Sequence, residues 1–356
     1  MAKIFPARFL SLGGFNEFEL LAFLAECSLG ENLFRSVLPI QYSKPLFFLF
    51  GSYSDCSNWE VTSNVPLHPA SATLVDDAEF RAHLDLVMHE GRMAIPFFPE
   101  LVSRRFTASE SLPAPPSAFS IYSDGQPFYE WLHSPSQTDR NLNFNIAMRG
   151  MANTEGIAFL PMDYPFHSLP TEKPIVDVGG GIGTLPMLLL PTLPRHSFLV
   201  QDLEPVVKQA HAAPNDSIKQ WMAEGKIKFS VQDCFSPQPP EVDGAVFILK
   251  NMIHNYSEPK ALEILHNLRR KNPFKLLLID RLVIPQIQSV DSSARLSGSS
   301  QRAATMYDLV MASLHGGKNR TLEEWENLLQ RADFRLEKIY PLRASTGQAV
   351  MEAICA

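Results

Sequence analysis

The residues most suggestive of chemistry form a glycine loop near the middle of the chain, Asp177-Val178-Gly179-Gly180-Gly181-Ile182-Gly183. The loop follows a short apolar run, residues 174–178, that predicts a buried strand, and it precedes a helical pattern. Glycines at such a turn let a ligand approach the backbone at the helix N-terminus. Several adenosine cofactors use loops of this kind, but the ending lacks the Gly-x-x-Gly that is usual for dinucleotides.

Two further acidic residues follow the next two predicted strands. Asp202 comes after residues 197–201, where a carboxylate can accept both hydroxyls of a ribose. Asp233 comes after residues 226–231 and is placed to meet an adenine amino group, with Phe235 near the ring. Either acid alone could be an ordinary turn residue. Ligands of open α/β sheets bind at the carboxyl edge, however, so three acids at successive strand ends favour a shared site.

A histidine follows the fourth predicted strand, residues 244–249. The segment from Lys250 to Glu258 places His254 at the same edge of the sheet, where a general base could reach a substrate. A neutral imidazole can take the proton of a phenol or enol hydroxyl, and it needs no metal to do so. A lone histidine is more often a packed or surface residue, so position alone leaves both interpretations open.

The region that carries these residues alternates strands and helices from residue 173 onward, which predicts an α/β fold with a doubly wound parallel sheet. Thr321 is a predicted N-cap, and Glu324 closes a capping box with it. The predicted strands cover residues 174–178, 197–201, 226–231, 244–249 and 274–279, with a closing antiparallel pair at 334–342 and 349–355. The predicted helices cover residues 185–190, 205–212, 258–270 and 321–331.

The chain before residue 170 has a different character. Helical apolar spacing is present at residues 17–27, 78–92, 127–132 and 141–151, whereas residues 36–62 show little periodicity. A proline-rich break at residues 112–116 indicates a linker. We therefore predict a mainly helical N-terminal region over residues 1–115 and a cofactor-binding catalytic domain over residues 116–356.

Composition narrows the classes of partner. A formal net charge of −7 and a pI near 5.8 argue against nucleic acid. The four cysteines show neither paired nor metal-ligand spacing, which fits a reducing compartment and predicts no metal site. No signal peptide is recognisable, and the most apolar early run, residues 45–50, is too short to span a bilayer. We expect a cytoplasmic protein that does not enter a membrane.

Three segments, residues 176–183, 250–258 and 316–321, together resemble the class I O-methyltransferases of the plant caffeate type, especially their fungal secondary-metabolite branch. The resemblance covers roughly residues 60–356. It implies a Rossmann-like methyltransferase sheet, a shortened winged-helix-like dimerisation region, a homodimer, S-adenosylmethionine as cofactor and a phenolic or polyketide-like substrate. Together with the residues above, it assigns cofactor contacts to Asp177, Gly179, Gly181, Asp202, Asp233, Cys234, Phe235 and Lys250.

The same resemblance suggests how the acceptor is handled. The base of that family is the histidine of a His-Asp/Asn-Trp/Tyr motif, which His254-Asn255-Tyr256 matches. The substrate pocket is expected to include Phe144 and Met148 from one helix, and Met311 and His315 from a later segment. Ordinary core packing is an equally good interpretation of the Phe and Met residues.

Two positions depart from the family pattern. Relatives flank the catalytic histidine with two glutamates, but here Arg281, beside Asp280, stands at the first position and Asn319 at the second. Asp280 could supply the missing carboxylate, and Arg281 at the mouth of the site could polarise a carbonyl or hold an acidic substrate. All three residues are therefore candidate catalytic residues together with His254.

These departures leave alternatives to O-methylation open. A protein of this fold could catalyse a pericyclic rearrangement or a dehydration, as some fungal relatives do, or it could bind the cofactor without catalysing a reaction. A nicotinamide-dependent dehydrogenase is disfavoured by the glycine pattern and by the mid-chain position of the loop.

Overall fold

The computed structural model describes residues 77–107, 116–154, 157–212, 214–283, 307–343 and 347–356 of the 356-residue chain. The predicted helix at residues 17–27, the irregular stretch at 36–62 and most of the proline-rich break at 112–116 lie outside the described residues. The division into regions 1–115 and 116–356 stays a prediction.

The described part of the chain contains a sheet of eight strands in the order β3-β2-β1-β4-β5-β8-β7, with β6 paired to β5. The first five strands and β6 run parallel to their neighbours, whereas β8 is antiparallel to both β5 and β7. This is the predicted doubly wound sheet with its closing antiparallel pair. The strands are β1 (Ile175–Val178), β2 (Phe198–Asp202), β3 (Ile227–Val231), β4 (Val246–Lys250), β5 (Lys275–Val283), β6 (Arg320–Thr321), β7 (Phe334–Pro341) and β8 (Gln348–Cys355).

Helices before the sheet form a separate layer with its own apolar core. That core includes Leu101, Phe119, Phe128 and Leu132, which are all almost fully buried, together with Leu314 from much later in the chain. The helices are α1 (Ala78–Leu86), α2 (Phe98–Phe106), α3 (Ala118–Tyr122), α4 (Phe128–Leu132), α5 (Thr138–Thr154) and α6 (Leu160–Asp163). A π turn (Val87–Gly91) and short turns at Arg92–Ala94 and Ile95–Phe97 connect α1 to α2.

A buried ion pair joins α5 to the end of α1. Arg140 donates to both carboxylate oxygens of Glu90, at 2.7 and 2.6 Å, and to Asp85 at 2.6 Å. Burial by itself would raise the pKa of Glu90, but hydrogen bonds from His89 and Arg140 and the guanidinium charge lower it on balance. The two helices are therefore held together by charge as well as by apolar contact.

Helices cover both faces of the sheet, as the continuous apolar strands predicted. Ile175 and Leu277 face one core together with Leu189, whereas Val176 and Leu276 face the other. The helices are α7 (Thr184–Leu189), α8 (Glu204–Ala212), α9 (Asp216–Ala223), α10 (Glu258–Arg269) and α12 (Leu322–Arg331). Helix α11 (residues 307–314) lies before α12 in sequence and packs Leu314 into the core of the first layer. Short 3-10 turns occur at Pro135–Gln137, Ile157–Phe159, Phe166–Ser168, Leu190–Thr192, Pro240–Val242 and Ile253–Asn255.

Helix α9 was not predicted from the sequence, although its start signal is present. Asn215 precedes the helix in extended conformation, and its side-chain oxygen accepts from the backbone N–H of Ile218 at 2.8 Å. The predicted capping box between Thr321 and Glu324, by contrast, is confirmed at the start of α12. Within the described residues, none of the helices is long and apolar enough to cross a bilayer.

Candidate functional site

The glycine loop joins β1 to α7, as predicted, and three of its glycines need backbone angles that other residues rarely adopt. Gly179, Gly181 and Gly183 have φ values of 68°, 62° and 88°. Gly180 has no room for a side chain, because a Cβ atom there would clash with the Asp177 carboxylate and lie 2.8 Å from Val200 Cγ1. The loop thus presents bare backbone at the carboxyl edge of the sheet.

Asp202 ends β2 and tethers this loop. Its Oδ2 accepts from the backbone N–H of Gly181, and its Oδ1 accepts from that of Leu203, each at 2.8 Å. Burial raises the pKa of Asp202, although the two N–H donors and nearby His133 oppose the rise. A carboxylate next to the loop backbone is the group that a ribose would require.

Asp177 lies directly beneath the loop, and its environment is unusual for a carboxylate. It is 1% exposed, and its Oδ2 has no hydrogen-bond partner among the described residues. Burial raises the pKa of Asp177 to about 7, against the opposing charge of Lys250. A buried carboxylate oxygen with no partner is costly, so it fits a site completed by a ligand that brings a donor or a positive charge.

The residues predicted to meet an adenine follow β3 in a tight turn (the predicted adenine-side turn). Asp233 Oδ1 accepts from the backbone N–H of Phe235 at 2.9 Å. The Phe235 ring packs edge-on against Tyr256, with centroids 5.2 Å apart, and Lys260 Nζ lies 4.6 Å from its centroid. Burial raises the pKa of Cys234 to about 12, so its thiol stays protonated. The turn therefore offers a fixed acid and a fixed ring to a flat base.

His254 lies in the 3-10 turn that follows β4, and Asp280 on β5 is its partner. His254 Nδ1 is 2.6 Å from Asp280 Oδ1, and the two residues are 7% and 2% exposed. Burial by itself would raise the pKa of Asp280. The charge and hydrogen bond of His254, the N–H of Arg281 and the charge of Arg320 instead lower it. An ionised Asp280 accepts the Nδ1 proton, which fixes the tautomer of the ring.

Arg281 and Asn319, the two residues predicted to flank His254 in place of glutamates, are both buried. Arg281 is 2% exposed, and its guanidinium carbon is 3.2 Å from the centroid of the Tyr307 ring, so this side chain does not line the mouth of a site. Asn319 is 5% exposed, and its side-chain amide has no hydrogen-bond partner in the part of the chain that the structure describes. Its backbone N–H donates to Asp308 Oδ1 at 2.7 Å. Among the described residues, the carboxylate that contacts His254 is therefore Asp280.

Aromatic side chains from both layers meet opposite the glycine loop. The rings of Tyr129 and His315 stack with centroids 5.0 Å apart at 26°, and Phe128 meets His315 edge-on, also at 5.0 Å. These rings form the aromatic wall of the site. Asn255 Nδ2 donates to the Tyr129 hydroxyl at 3.2 Å, which links the aromatic wall to the His254 turn. Burial, followed by the charge of His254, lowers the pKa of His315 to about 3, so its ring stays neutral.

The loop, the adenine-side turn and the aromatic wall surround one cavity of about 1530 Å³. Five of the predicted site residues do not line this cavity in the described part of the chain: His254, Asp280, Arg281, Met311 and Asn319. His254 lies immediately beneath it, since Met252 and Asn255 do line it. The predicted residues that line the cavity are Phe144, Met148, Asp177, Gly179, Gly181, Asp202, Asp233, Cys234, Phe235, Lys250 and His315.

Tyr129 and His133 are among the lining residues that the sequence did not predict. They lie on and just after α4, and their rings stack with centroids 6.4 Å apart. Burial lowers the pKa of His133, while the charge of Asp202 opposes the change. The signal was present, because residues 127–132 were predicted to form a helix, but nothing in the sequence indicated which layer that helix faces.

Comparison with known proteins places the chain in a family. A model of the O-methyltransferase domain matches residues 122–335. O-methyltransferase xanE of Aspergillus fumigatus is 34% identical over 199 residues, covering 54% of this chain and 42% of that protein. Sterigmatocystin 8-O-methyltransferase of Aspergillus parasiticus is 30% identical over 225 residues, covering 62% and 48%. The chain spans about half the length of these relatives.

Solved structures show the same fold at lower identity. Mitomycin 7-O-methyltransferase MmcR superposes with a TM-score of 0.62 at 21% identity, covering 81% of this chain and 76% of that one. LepI in complex with S-adenosylmethionine has a TM-score of 0.62 at 23% identity, covering 83% and 70%. The family is S-adenosylmethionine-dependent, which agrees with the predicted cofactor. The domain match covers more than half of the sequence, and the chain belongs to the O-methyltransferase family.

Proposed function

We propose that this protein transfers the methyl group of S-adenosylmethionine to a phenol or enol hydroxyl of a small secondary metabolite, with His254 as the general base. The observation that carries the proposal is the 2.6 Å contact between His254 and Asp280, which lies beneath a cavity bounded by the glycine loop. A base, its orienting carboxylate and a loop suited to a cofactor thus meet at one edge of the sheet.

The cofactor-side residues divide the binding task. Asp202 would hold the ribose hydroxyls, and Asp233 with Phe235 would hold the adenine. The unpartnered Oδ2 of Asp177 would meet the ammonium group of the methionine end, where Gly179 and Gly181 give room to the ligand. Bound there, S-adenosylmethionine supplies a sulfonium-borne methyl group. Cys234 and Lys250 also line this side of the cavity and complete the proposed contacts.

Proton transfer falls to His254. Because ionised Asp280 accepts the Nδ1 proton, the lone pair of Nε2 is the free base of the ring. It takes the proton of the acceptor hydroxyl, and the resulting oxygen nucleophile faces the cofactor side. Burial of the pair keeps water away from this oxygen, and methyl transfer depends mainly on such alignment and exclusion. Asp280 acts through the ring rather than on the acceptor.

The aromatic wall limits the shape and chemistry of the acceptor that the cavity can bind. Tyr129, His315 and Phe144 present flat faces and edges, and Met148 adds an adaptable apolar surface. Such a wall favours a planar aromatic molecule over a sugar or a peptide. Since the cavity of about 1530 Å³ exceeds the 300–1,000 Å³ of an ordinary ligand pocket, it has room for cofactor and acceptor together.

One observation favours a second candidate function. Arg281 and Asn319 stand where the family carries glutamates: Arg281 packs over the Tyr307 ring, and the Asn319 amide has no hydrogen-bond partner in the described part of the chain. A methyltransferase-like protein with an altered base could bind the cofactor and catalyse a pericyclic rearrangement or a dehydration. The predicted homodimer and the cytoplasmic location also stay predictions.

To test this proposal, the protein is incubated with S-adenosylmethionine labelled at the methyl carbon and with a panel of phenols, naphthols and enols. The proposal expects label on an acceptor oxygen, with the exposed His167→Ala variant as active as the wild type. If the cofactor binds while an acceptor rearranges without taking up label, the second candidate is correct. If the cofactor does not bind, the assignment of the glycine loop is wrong.

A further inference from the structure

Arg320 is fully buried behind the turn that carries His254. Its Nη1 donates to the carbonyl oxygen of Ile253 at 3.3 Å, and its Nη2 donates to that of Tyr256 at 3.2 Å. These two carbonyls bracket His254 on either side in sequence. A planar guanidinium has its donors in a fixed fork, so one side chain can hold both carbonyls at a set separation.

The segment that carries Arg320 also contacts the His254 turn directly, at Gly317. A Cβ atom at Gly317 would clash with the carbonyl oxygen of His254, so the two backbones are in direct contact. β6 in turn pairs with the end of β5, with Leu282 opposite Arg320, and thereby fixes this segment to the strand that carries Asp280. The segment that carries Arg320 therefore contacts both the His254 turn and the strand that carries Asp280.

Charge gives Arg320 a second effect. The cation faces Asp280 from β5, Glu258 from α10 at 3.6 Å and Glu324 from α12. Burial raises the pKa of Asp280, and the charge of Arg320 lowers it, after the larger contributions of His254 and Arg281. The charge therefore helps to keep ionised the carboxylate that contacts His254 Nδ1. His315 also lies near His254, and its ring stays neutral.

We propose that Arg320 is a positioning residue for the reaction: it clamps the His254 turn through the Ile253 and Tyr256 carbonyls and so holds the His254 ring in place to act as the base. This inference rests on the proposed function, in which His254 takes the acceptor proton. Arg320 itself touches neither acceptor nor cofactor.

The experiment compares Arg320→Lys, which keeps the charge but not the fork, with Arg320→Met, which removes both. We expect kcat to fall about 10-fold in the Lys variant, with its pH profile unchanged. In the Met variant kcat falls about 100-fold, because neither carbonyl keeps a donor. The dissociation constant of S-adenosylmethionine stays within about twofold in both.

Arg331→Met is the matched control, because Arg331 also contacts Glu258, at 2.9 Å, but is 48% exposed. It is expected to behave as the wild type. Wild-type kcat in Arg320→Lys would overturn the clamp, and this variant decides the matter if Arg320→Met does not fold. A wild-type kcat in a folded Arg320→Met protein would overturn it as well.

A readout without turnover separates this inference from the proposed function. The NMR resonances of the His254 ring, assigned by their loss in His254→Ala, report the position of the ring whether or not any acceptor is methylated. A wild type that methylates nothing therefore counts against the proposed function alone. Ring resonances with the same chemical shifts in wild type and Arg320→Met count against the role of Arg320.

Discussion

The two sides of the cavity are built in different ways. On the cofactor side, every proposed contact lies between Asp177 and Lys250, at the carboxyl end of a strand of the parallel sheet or just after it. On the acceptor side, the residues come from three distant parts of the chain, with Tyr129 on a helix of the first layer, His254 after β4 and His315 after α11. The first side is a local pattern repeated along the sheet, whereas the second is a product of tertiary packing.

The hydrogen bonds reflect this difference. The bond from Gly181 to Asp202 joins neighbouring βα units, and the bond from Phe235 to Asp233 closes a single turn. The bond from Asn255 to Tyr129 instead spans 126 positions of the sequence. Changes on the cofactor side should therefore alter the binding of S-adenosylmethionine, and changes on the acceptor side should alter turnover or the KM of the acceptor. Each prediction below tests that separation.

The largest of these effects is expected at Asp280. Asp280→Asn keeps the shape of the side chain but removes the charge that accepts the Nδ1 proton of His254, so kcat should fall about 10–100-fold. The dissociation constant of S-adenosylmethionine, measured by calorimetry, should stay within about twofold. The exposed Asp243, which pairs with Lys271 at 3.1 Å, gives the control variant Asp243→Asn. Weakened cofactor binding in Asp280→Asn would break the separation of the two sides.

The next effect concerns pH on the cofactor side. Burial raises the pKa of Asp177 to about 7, so this group gains a proton in the free protein as the pH falls through 7. A cationic ligand needs the ionised form. Cofactor affinity should therefore fall by up to about tenfold per pH unit below 7, with release of a proton on binding. Calorimetry from pH 5.5 to 8 in buffers of different ionisation enthalpy measures both quantities.

Asp177→Asn supplies the control for that titration. The amide cannot ionise, so affinity should be weak and nearly independent of pH over the same range. The opposite finding, a wild-type affinity that does not change between pH 5.5 and 8, would show that the charge of Asp177 does not contribute to binding. The proposed role of the Asp177 carboxylate in cofactor binding would then be wrong.

The smallest effect is expected at the aromatic wall. His315→Phe keeps a flat ring against Tyr129 but loses both ring nitrogens. The KM of a polar aromatic acceptor should rise about tenfold, the worth of one hydrogen bond, while kcat stays within about threefold. Because the pKa of His315 is about 3, the change should be the same across the assay range. A loss confined to kcat would instead make His315 part of the proton path.

The same contrast explains how much could be predicted from the sequence. The glycine loop, Asp202 and the capping box at Thr321 are local patterns, and the structure has the predicted local elements at these positions. Asp280 was predicted only as a conditional partner of His254, because β-strand alternation places either Asp280 or Arg281 toward the ring and the sequence does not state which. The structure turns Asp280 to His254 and Arg281 to Tyr307.

Residues that depend on contact between layers could not be predicted in this way. Tyr129 belongs to the site because α4 packs against the loop after α11, a contact between segments nearly two hundred residues apart. Arg320 reads in sequence as one more basic residue in a Gly-Gly-Lys-Asn-Arg-Thr run, and its role depends on two backbone carbonyls of another loop. A contact to backbone carbonyls cannot be predicted from residue types, because every residue has the same backbone carbonyl.

The most direct test of the central claim is a single-turnover measurement on His254→Ala. With S-adenosylmethionine and a methylated acceptor from the panel both saturating, the rate constant of methyl transfer should fall about 10²–10⁴-fold. The cofactor dissociation constant should stay within about twofold of the wild type. A rate that is unchanged, or a rate that falls only because the cofactor no longer binds, would contradict the assignment of His254 as the base.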